Sequence, residues 1–223
     1  MIVNSITLLC LILYNMTRHQ HGFTKGRSCL TNLLETLEAW TGLLEDGYGV
    51  DVIFLDYRKA FDTVPHQKLL EKLKGYGFTG RLGKWTESFL LGRLMRVVVQ
   101  GKSSSWVRVR SGVPQGSGLG PLLFLLYVED LPESIKNGIK MFADDTKIWA
   151  AIGSAADGAD LQRDLDRLRE WTDTWQLQLN LEKCKVMHIG HRLGTTYEVG
   201  PANGRVRLQE TNEERDLGII ITK

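Results

Sequence analysis

Cysteine is scarce in this sequence, and the three that occur, Cys10, Cys29 and Cys184, are widely spaced with no C-x-x-C pair. Such an odd, scattered set gives no sign of a disulfide framework or of a zinc ribbon. Five histidines without metal-type pairing likewise argue against a zinc enzyme. The sequence therefore predicts an intracellular protein, nuclear or cytoplasmic.

An excess of one charge is also lacking, since 28 Lys and Arg face 26 Asp and Glu, for a net charge of +2. That balance is too mild to indicate nucleic-acid binding by itself. A hydrophobic content of 43% with 24% charged residues excludes intrinsically disordered and fibrous classes. The 223 residues suit one large domain or one and a half ordinary ones.

Long hydrophobic runs are missing as well. The N-terminal run Leu8–Tyr14 is far shorter than the roughly 20 residues of a membrane span, so no membrane association is expected. No basic residue precedes the run and no A-x-A site follows it, which argues against a secretory signal. We expect a core element or a non-native gene-model start here. Residues 1–18 are therefore treated as an atypical N-terminal segment before a domain over residues 19–223.

Hydrophobic periodicity predicts helices and strands without a strict βαβ rhythm, which favours a mixed α+β sheet domain. Apolar residues at helical spacing predict helices near 30–40 (with Gly42 as its stop), 66–74, 82–89 and 161–175. Short apolar runs predict strands near 50–55, 139–142, 147–150, 177–179, 186–189 and 217–221. A hairpin is predicted from Met95–Gln100 and Trp106–Arg110 around a loop over residues 101–105.

Three aspartates are candidates for a functional site. One follows an apolar run and two lie next to each other in a predicted turn. Asp56 ends the apolar run Val52–Leu55, where an acidic side chain raises the free energy unless it is paired or binds a cation. Asp144 and Asp145 lie in a turn, where Asp is common for conformational reasons alone. If the strands are neighbours, the three carboxylates converge, and divalent cations relieve their repulsion. We predict adjacent strands, with carboxyl oxygens of Asp56 and Asp144 about 4–6 Å apart.

The glycine-rich segment Ser111–Gly120 leaves two interpretations open. It lacks the G-K-[ST] ending of a P-loop, and its G-x-G-x-G spacing fits no dinucleotide fingerprint. It is either a loop that starts a helix or a backbone that a nucleotide or template strand approaches closely, which glycine permits.

Three motifs in order resemble one protein family. They are Phe54–Asp62 (FLDYRKAFD), Gly112–Ser117 (GVPQGS) and Phe142–Asp145 (FADD). Together they resemble the palm of a reverse transcriptase of the non-LTR (LINE-type) retrotransposons. Three further segments are similar to parts of this family. The family's pre-palm segment, just before the palm, is similar to Gln20–Ser28. The motif that follows the palm motifs is similar to Asn180–Lys185, and the primer-gripping turn is similar to Glu214–Gly218.

The resemblance implies an RNA-directed DNA polymerase that transfers nucleotides onto a primer 3′-hydroxyl with two metal ions. Asp56, Asp144 and Asp145 would bind Mg²⁺, with Mn²⁺ as the alternative ion. Lys183 would donate a proton to pyrophosphate, and Lys185 competes for that role. The implied partners are an RNA template, a DNA primer and deoxynucleoside triphosphates. Nothing in the sequence indicates an oligomeric state.

The resemblance also implies a set of nucleotide-binding residues: Tyr57, Arg58, Phe61, Gln115, Gly116 and Phe142. Phe61 would be the wall under the sugar that leaves no room for a 2′-hydroxyl. Arg58 would either touch triphosphate or be solvated. Asp62 could be a fourth carboxylate, but a loop-fixing hydrogen bond is the favoured interpretation.

The sequence departs from the family pattern at several points. Phe142 stands where many relatives carry Tyr, Gly118 where an aliphatic residue is usual, and Asp216 where many place an aromatic. We expect a palm-type mixed sheet packed on helices, with the fingers incomplete and the thumb missing. The alternative to an active polymerase is a catalytically silent remnant or a nucleic-acid-binding module.

Overall fold

A computed structural model describes residues 17–190, 193–201 and 203–223, so the run Leu8–Tyr14 lies outside the described residues. The described part contains six α-helices: α1 Cys29–Glu45, α2 Ala60–Thr63, α3 His66–Gly75, α4 Gly80–Leu90, α5 Leu119–Val128 and α6 Ala155–Trp175. Its strands are β1 Gly49–Leu55, β2 Leu94–Met95, β3 Val98–Val99, β4 Lys102–Ser103, β5 Val107–Arg108, β6 Gly138–Phe142, β7 Asp145–Ile152, β8 Lys185–Ile189, β9 Glu198–Val199, β10 Val206–Arg207, β11 Gln209–Glu210, β12 Glu213–Asp216 and β13 Ile219–Thr222. A 3₁₀ helix covers Leu131–Ser134.

The described residues divide into two compact units. The helical unit is Lys59–Val128 and contains α2–α5 with the short strands β2–β5. The sheet unit combines Thr17–Arg58 with Glu129–Lys223 and contains the remaining elements. The predicted boundary after residue 18 stays a prediction.

A five-stranded mixed sheet forms the centre of the sheet unit, in the order β11-β8-β1-β7-β6. The central strand β1 runs antiparallel to both β7 and β8, and β11 joins β8 in parallel. β1 is buried almost throughout, which explains its continuous apolar sequence. The predicted mixed α+β sheet packed on helices is confirmed.

The two long helices of the sheet unit cover opposite faces of this sheet, since side chains alternate along each strand. Trp40 of α1 packs on the face that carries Val50, Val52 and Trp149. Asp51, between those two valines, points to the other face, where it accepts from Tyr197, and the Tyr197 hydroxyl lies close to Gly158 of α6. Within the described residues, no helix combines the length and apolar character needed to span a membrane.

Three local predictions are wrong, and the first two concern where an element ends or turns. Helix α1 does not stop at Gly42 but continues to Glu45, because Leu43 and Leu44 pack against the core and offset the roughly 1 kcal/mol cost of glycine in a helix. In the helical unit the hairpin turns at Gln100–Gly101, not over residues 101–105. Both turn residues have positive φ, 49° and 78°, and Val99 pairs directly with Lys102.

The run at 177–179 forms no strand. Leu179 instead makes a single bridge to Tyr57. The other predicted helices and strands are present, with ends that differ by a few residues.

Candidate active site

The acidic residues meet at one end of the sheet. Strand β1 ends at Leu55, which pairs with Thr146 of β7, so Asp56 and Asp145 leave neighbouring strands at the same end. Phe142 pairs with Asp145 across β6 and β7, which leaves Ala143 and Asp144 as a two-residue turn. The prediction that Asp56 and the Asp144–Asp145 pair come from adjacent strands is confirmed.

These carboxylates influence each other electrostatically. Burial raises the pKa of Asp144, and the charge of Asp56 raises it further. The pKa of Asp145 rises to about 6, first through burial and then through Asp144, Asp216 and Asp56, while Lys147 opposes the shift. Mutual repulsion of this kind is relieved when a cation binds between the groups.

The positions of Asp56, Asp144 and Asp145 can be compared with the coordination that a divalent cation requires. Among the described residues, no three His, Cys, Asp or Glu side chains are grouped so that they could hold a metal ion by themselves. Mg²⁺, however, usually takes one or two carboxylates and completes its shell with water and substrate phosphates. Asp56 and Asp144, which repel each other from adjacent strands, fit that smaller requirement. Their oxygen–oxygen distance of about 4–6 Å stays a prediction.

The loop before β8 fixes the backbone of Asp56. The amide of Asn180 donates to the Asp56 carbonyl at 2.8 Å, and the Asp56 amide lies 3.5 Å from the sulfur of Cys184. Burial raises the pKa of Cys184 to about 11, so this side chain stays a thiol at neutral pH. The segment with the Asn180–Lys185 motif thus fixes the backbone that carries the Asp56 carboxylate.

The two candidate proton donors have different partners. The ammonium of Lys183 lies 3.5 Å from an Asp56 carboxylate oxygen, and its side chain is 67% exposed. Lys185 instead pairs with Glu214 at 3.1 Å. The structure therefore brings Lys183, rather than Lys185, to the carboxylate of Asp56.

Gln20 is a site residue that the sequence analysis missed. Its buried amide oxygen accepts from the amides of Ala143 at 2.7 Å and Gly22 at 2.8 Å, and its amide nitrogen donates to the Ala143 carbonyl at 3.2 Å. Ala143 has a φ of 56°, a conformation that a non-glycine residue needs support to keep. The resemblance of Gln20–Ser28 to the pre-palm segment pointed to this region of the chain, but it assigned no role to Gln20.

Gly22 completes this support. A Cβ atom at position 22 would lie 2.3 Å from the Ala143 amide nitrogen, so only glycine permits the approach. Next to it, the amide of His21 donates to the Met141 carbonyl and the amide of Met141 donates to the His19 carbonyl. The pre-palm segment therefore lies against the turn that carries Asp144.

A cavity of about 640 Å³ opens in the sheet unit beside these groups. Its lining includes Asp56, Phe142, Asp145, Lys183 and Leu217. Such a volume accommodates a nucleotide-sized or smaller polar ligand.

The unusual Asp216 also lines this cavity and forms an ion pair with Lys147. Both side chains are buried, at 7% and 4% exposure, and burial lowers the pKa of Lys147 although Asp216 opposes the shift. An acidic residue is tolerated here because Lys147 neutralises it.

In the helical unit, the predicted nucleotide-contacting residues form a local network. Phe61 stacks on Phe124 with ring centroids 4.2 Å apart. The Gln115 amide donates to the Asp62 carboxylate at 2.9 Å, which supports the loop-fixing interpretation of Asp62. Gly112 has a φ of 85°, and a Cβ there would lie 2.7 Å from the Asp62 carbonyl oxygen. Gly116 is exposed with a φ of 76°.

Three predicted nucleotide-binding residues belong to the sheet unit. Tyr57 is only 5% exposed, so its ring is part of the core and only its backbone could meet a nucleotide. Arg58 is exposed, and its amide donates to the Gln178 carbonyl at 2.8 Å. Phe142 is half-buried at the cavity.

Comparison with known proteins agrees with this geometry. A family model described as "Reverse transcriptase (RNA-dependent DNA polymerase)" matches residues 1–221. The RNA-directed DNA polymerase from mobile element jockey of Drosophila melanogaster is 34% identical over 220 residues, 92% of this chain and 22% of that protein. The probable RNA-directed DNA polymerase from transposon X-element of the same species is 33% identical over 171 residues, 74% of this chain and 19% of that protein.

The chain thus spans about a fifth of the length of these curated relatives. Among solved structures, telomerase from Candida tropicalis in complex with a TWJ fragment of telomeric RNA has a TM-score of 0.61 at 12% identity, covering 99% of this chain and 36% of that one. Apo telomerase of the same organism, truncated from its C-terminal domain, has a TM-score of 0.59 at 12% identity, covering 100% of this chain and 45% of that one. At such identity these structures show the fold, a polymerase palm.

Proposed function

The chain belongs to the reverse transcriptase family, and we propose that it carries the catalytic palm of an RNA-directed DNA polymerase encoded by a non-LTR retrotransposon. The observation that carries the proposal is the placement of Asp56 and Asp144–Asp145 at the ends of adjacent strands, where the charge of Asp56 raises the pKa of Asp144 and of Asp145. The proposed substrates are an RNA template, a DNA primer and deoxynucleoside triphosphates.

In the proposed reaction the primer 3′-oxygen attacks the α-phosphorus of the triphosphate, and the bond to pyrophosphate breaks. Asp56, Asp144 and Asp145 would hold Mg²⁺, or Mn²⁺ in its place. When bound, a pair of such ions activates the 3′-hydroxyl and stabilises the leaving group.

The other roles belong to this chain's own side chains. The Lys183 ammonium, placed at Asp56, is proposed to give a proton to the leaving pyrophosphate. Phe61 is proposed to exclude a 2′-hydroxyl by its volume, and Gln115, Gly116, Arg58 and Phe142 to contact the nucleotide. The backbone of Tyr57 is proposed to do the same.

A primer-extension measurement tests the proposal. The purified chain is incubated with a labelled DNA primer annealed to an RNA template, one deoxynucleotide and Mg²⁺ or Mn²⁺. We expect addition of one nucleotide, reduced about 100-fold or more in Asp144→Asn, because metal-assisted charge stabilisation contributes several kcal/mol. Asp160→Asn, an exposed carboxylate on α6, is the matched control and should keep the wild-type rate.

Equal rates in wild type and Asp144→Asn would contradict the assignment of the metal ligands. Tight nucleic-acid binding without any nucleotide addition would instead favour the alternative, a nucleic-acid-binding module.

A further inference from the structure

The hairpin of β2–β5 in the helical unit exposes an unusual amount of apolar surface. Val97, Val98 and Val99 are 57–62% exposed, and Trp106 and Val107 on the returning arm are each 58% exposed. Several large apolar side chains exposed on one short element are a common feature of interaction sites. None of the roles assigned above uses this hairpin.

The same region has a strong charge bias that the net charge of the chain conceals. Residues 88–128 contain five basic side chains and no acidic one. The remaining 182 residues carry 23 basic and 26 acidic side chains. Four of the five basic residues, Arg96, Lys102, Arg108 and Arg110, are exposed on the hairpin or directly after it. The hairpin is therefore complementary to a polyanion.

Basic and aromatic groups are combined on this surface. The guanidinium of Arg96 lies 4.6 Å from the ring centroid of Trp106. This cation–π contact holds the indole in place while more than half of it remains exposed.

The hairpin is fixed at its base, so little entropy is lost when a ligand binds. Arg93 donates from its Nη2 to the Gly112 carbonyl at 2.8 Å and from its Nε to the Leu90 carbonyl at 3.0 Å. The Val109 amide donates to the Arg93 carbonyl at 2.9 Å, which closes the two arms.

We propose that the β2–β5 hairpin binds single-stranded nucleic acid, with Trp106 stacking on a base and Arg108 and Arg110 contacting phosphates. Ring stacking and basic side chains are the two contacts that sequence-independent binding of single strands requires. A duplex hides its base faces, so a single strand is the better match. A second copy of the chain is disfavoured because two hairpins of the same positive charge repel each other. The choice of nucleic acid over another polyanion rests on the proposed function.

Binding can be measured by fluorescence anisotropy of a labelled 20-nucleotide oligouridylate with the full chain in EDTA. We expect Trp106→Ala to weaken binding at least about five-fold, the lower end of the loss for one base stack. The matched control is Trp85→Ala in the same unit, since Trp85 is 55% exposed and stacks on Phe89 at 5.7 Å. The control should bind within about two-fold of wild type, because Trp85 lies outside the hairpin.

The phosphate contacts have their own test. Arg108→Gln with Arg110→Gln should reduce the slope of log affinity against log salt by about 1.4, the value for two single-strand phosphate contacts. Arg81→Gln with Lys84→Gln, two exposed basic residues of α4, is the control and should leave the slope unchanged.

These outcomes separate the inference from the proposed function, because binding in EDTA needs no nucleotide addition. A failed extension assay together with hairpin-dependent binding would therefore overturn the proposed function alone. The inference would be overturned if the hairpin variants bound the oligouridylate like their controls. It would also be overturned if these variants lost only binding to phosphatidylserine vesicles, or lost only self-association in sedimentation, while oligouridylate binding stayed unchanged. Circular dichroism should show an unchanged melting temperature for Trp106→Ala, since this side chain is exposed.

Discussion

A single amide side chain supports the most demanding backbone in the site. Gln20 satisfies both the amide and the carbonyl of Ala143, a residue in the left-handed region directly before Asp144. The conformation of the turn, and hence the position of the Asp144 carboxylate, depends on a residue 123 positions away.

Gln20→Ala should therefore destabilise the protein by about 2–4 kcal/mol, because it leaves buried backbone groups of Ala143 and Gly22 without partners. Urea unfolding followed by fluorescence measures the loss. Gln178→Ala, whose residue is exposed, is the control and should change the stability by less than about 0.5 kcal/mol. A Gln20→Ala protein as stable as this control would show that the turn holds itself.

At the scale of elements, a buried ion pair joins the hairpin of β12 and β13 to strand β7, which begins at Asp145. Lys147 lies two residues after Asp145 on β7, and its partner Asp216 ends β12. Buried ion pairs contribute little net stability, but loss of one partner leaves an uncompensated charge.

Asp216→Leu and Lys147→Met should each lower the free energy of unfolding by about 3–5 kcal/mol, whereas the double variant should recover most of that loss. The neighbouring pair Lys185–Glu214 is the matched comparison, with side-chain exposures of 32% and 20%. Its double-mutant cycle should give a smaller coupling, below about 1 kcal/mol, since both side chains are partly exposed. Strictly additive losses at Lys147 and Asp216 would show that the two charges do not depend on each other.

At the scale of the whole molecule, one buried acid makes stability depend on pH. Burial, with smaller contributions from Asp130 and Glu133, raises the pKa of Glu129 to about 7, while the Thr17 amide and Arg27 oppose the rise. The Thr17 amide donates to its carboxylate at 2.5 Å. Because the folded protein prefers the protonated acid, stability is greatest below the ordinary pKa of about 4.5 and falls as pH rises through about 7.

Glu129→Gln should remove the contribution of Glu129 to this dependence, since glutamine keeps the acceptor for Thr17 and carries no charge, while the smaller contribution of Asp145 remains. We expect the variant to exceed wild type in unfolding free energy at pH 8 by up to about 3 kcal/mol, and by much less at pH 5. Chemical denaturation at both values measures the difference. Glu170→Gln, an exposed acid on α6, should follow the wild-type pH profile, and a parallel profile for Glu129→Gln would contradict the assignment.

Much of this architecture could be predicted from local sequence. Two local patterns indicated a carboxylate site: the apolar run of β1 followed by Asp56, and the Asp144–Asp145 turn between short strands. A carboxylate at the end of a buried strand raises the free energy unless it is paired or binds a cation. Gln20 could not be identified in this way, since its partner is remote in sequence and hydrogen-bonding amides have no periodic signature. The extension of α1 past Gly42 was missed because tertiary packing of Leu43 and Leu44 outweighs local propensity.

The order of the units along the chain has a consequence for biosynthesis. Strand β1 leaves the ribosome well before its neighbour β7, which begins only at Asp145, after the whole helical unit has been made. At about 5–20 residues per second, strand β1 waits roughly 5–20 seconds for its partner β7. During that interval the nascent chain exposes an unpaired strand on which aggregation can begin, so β1 is the segment that a chaperone has most reason to cover.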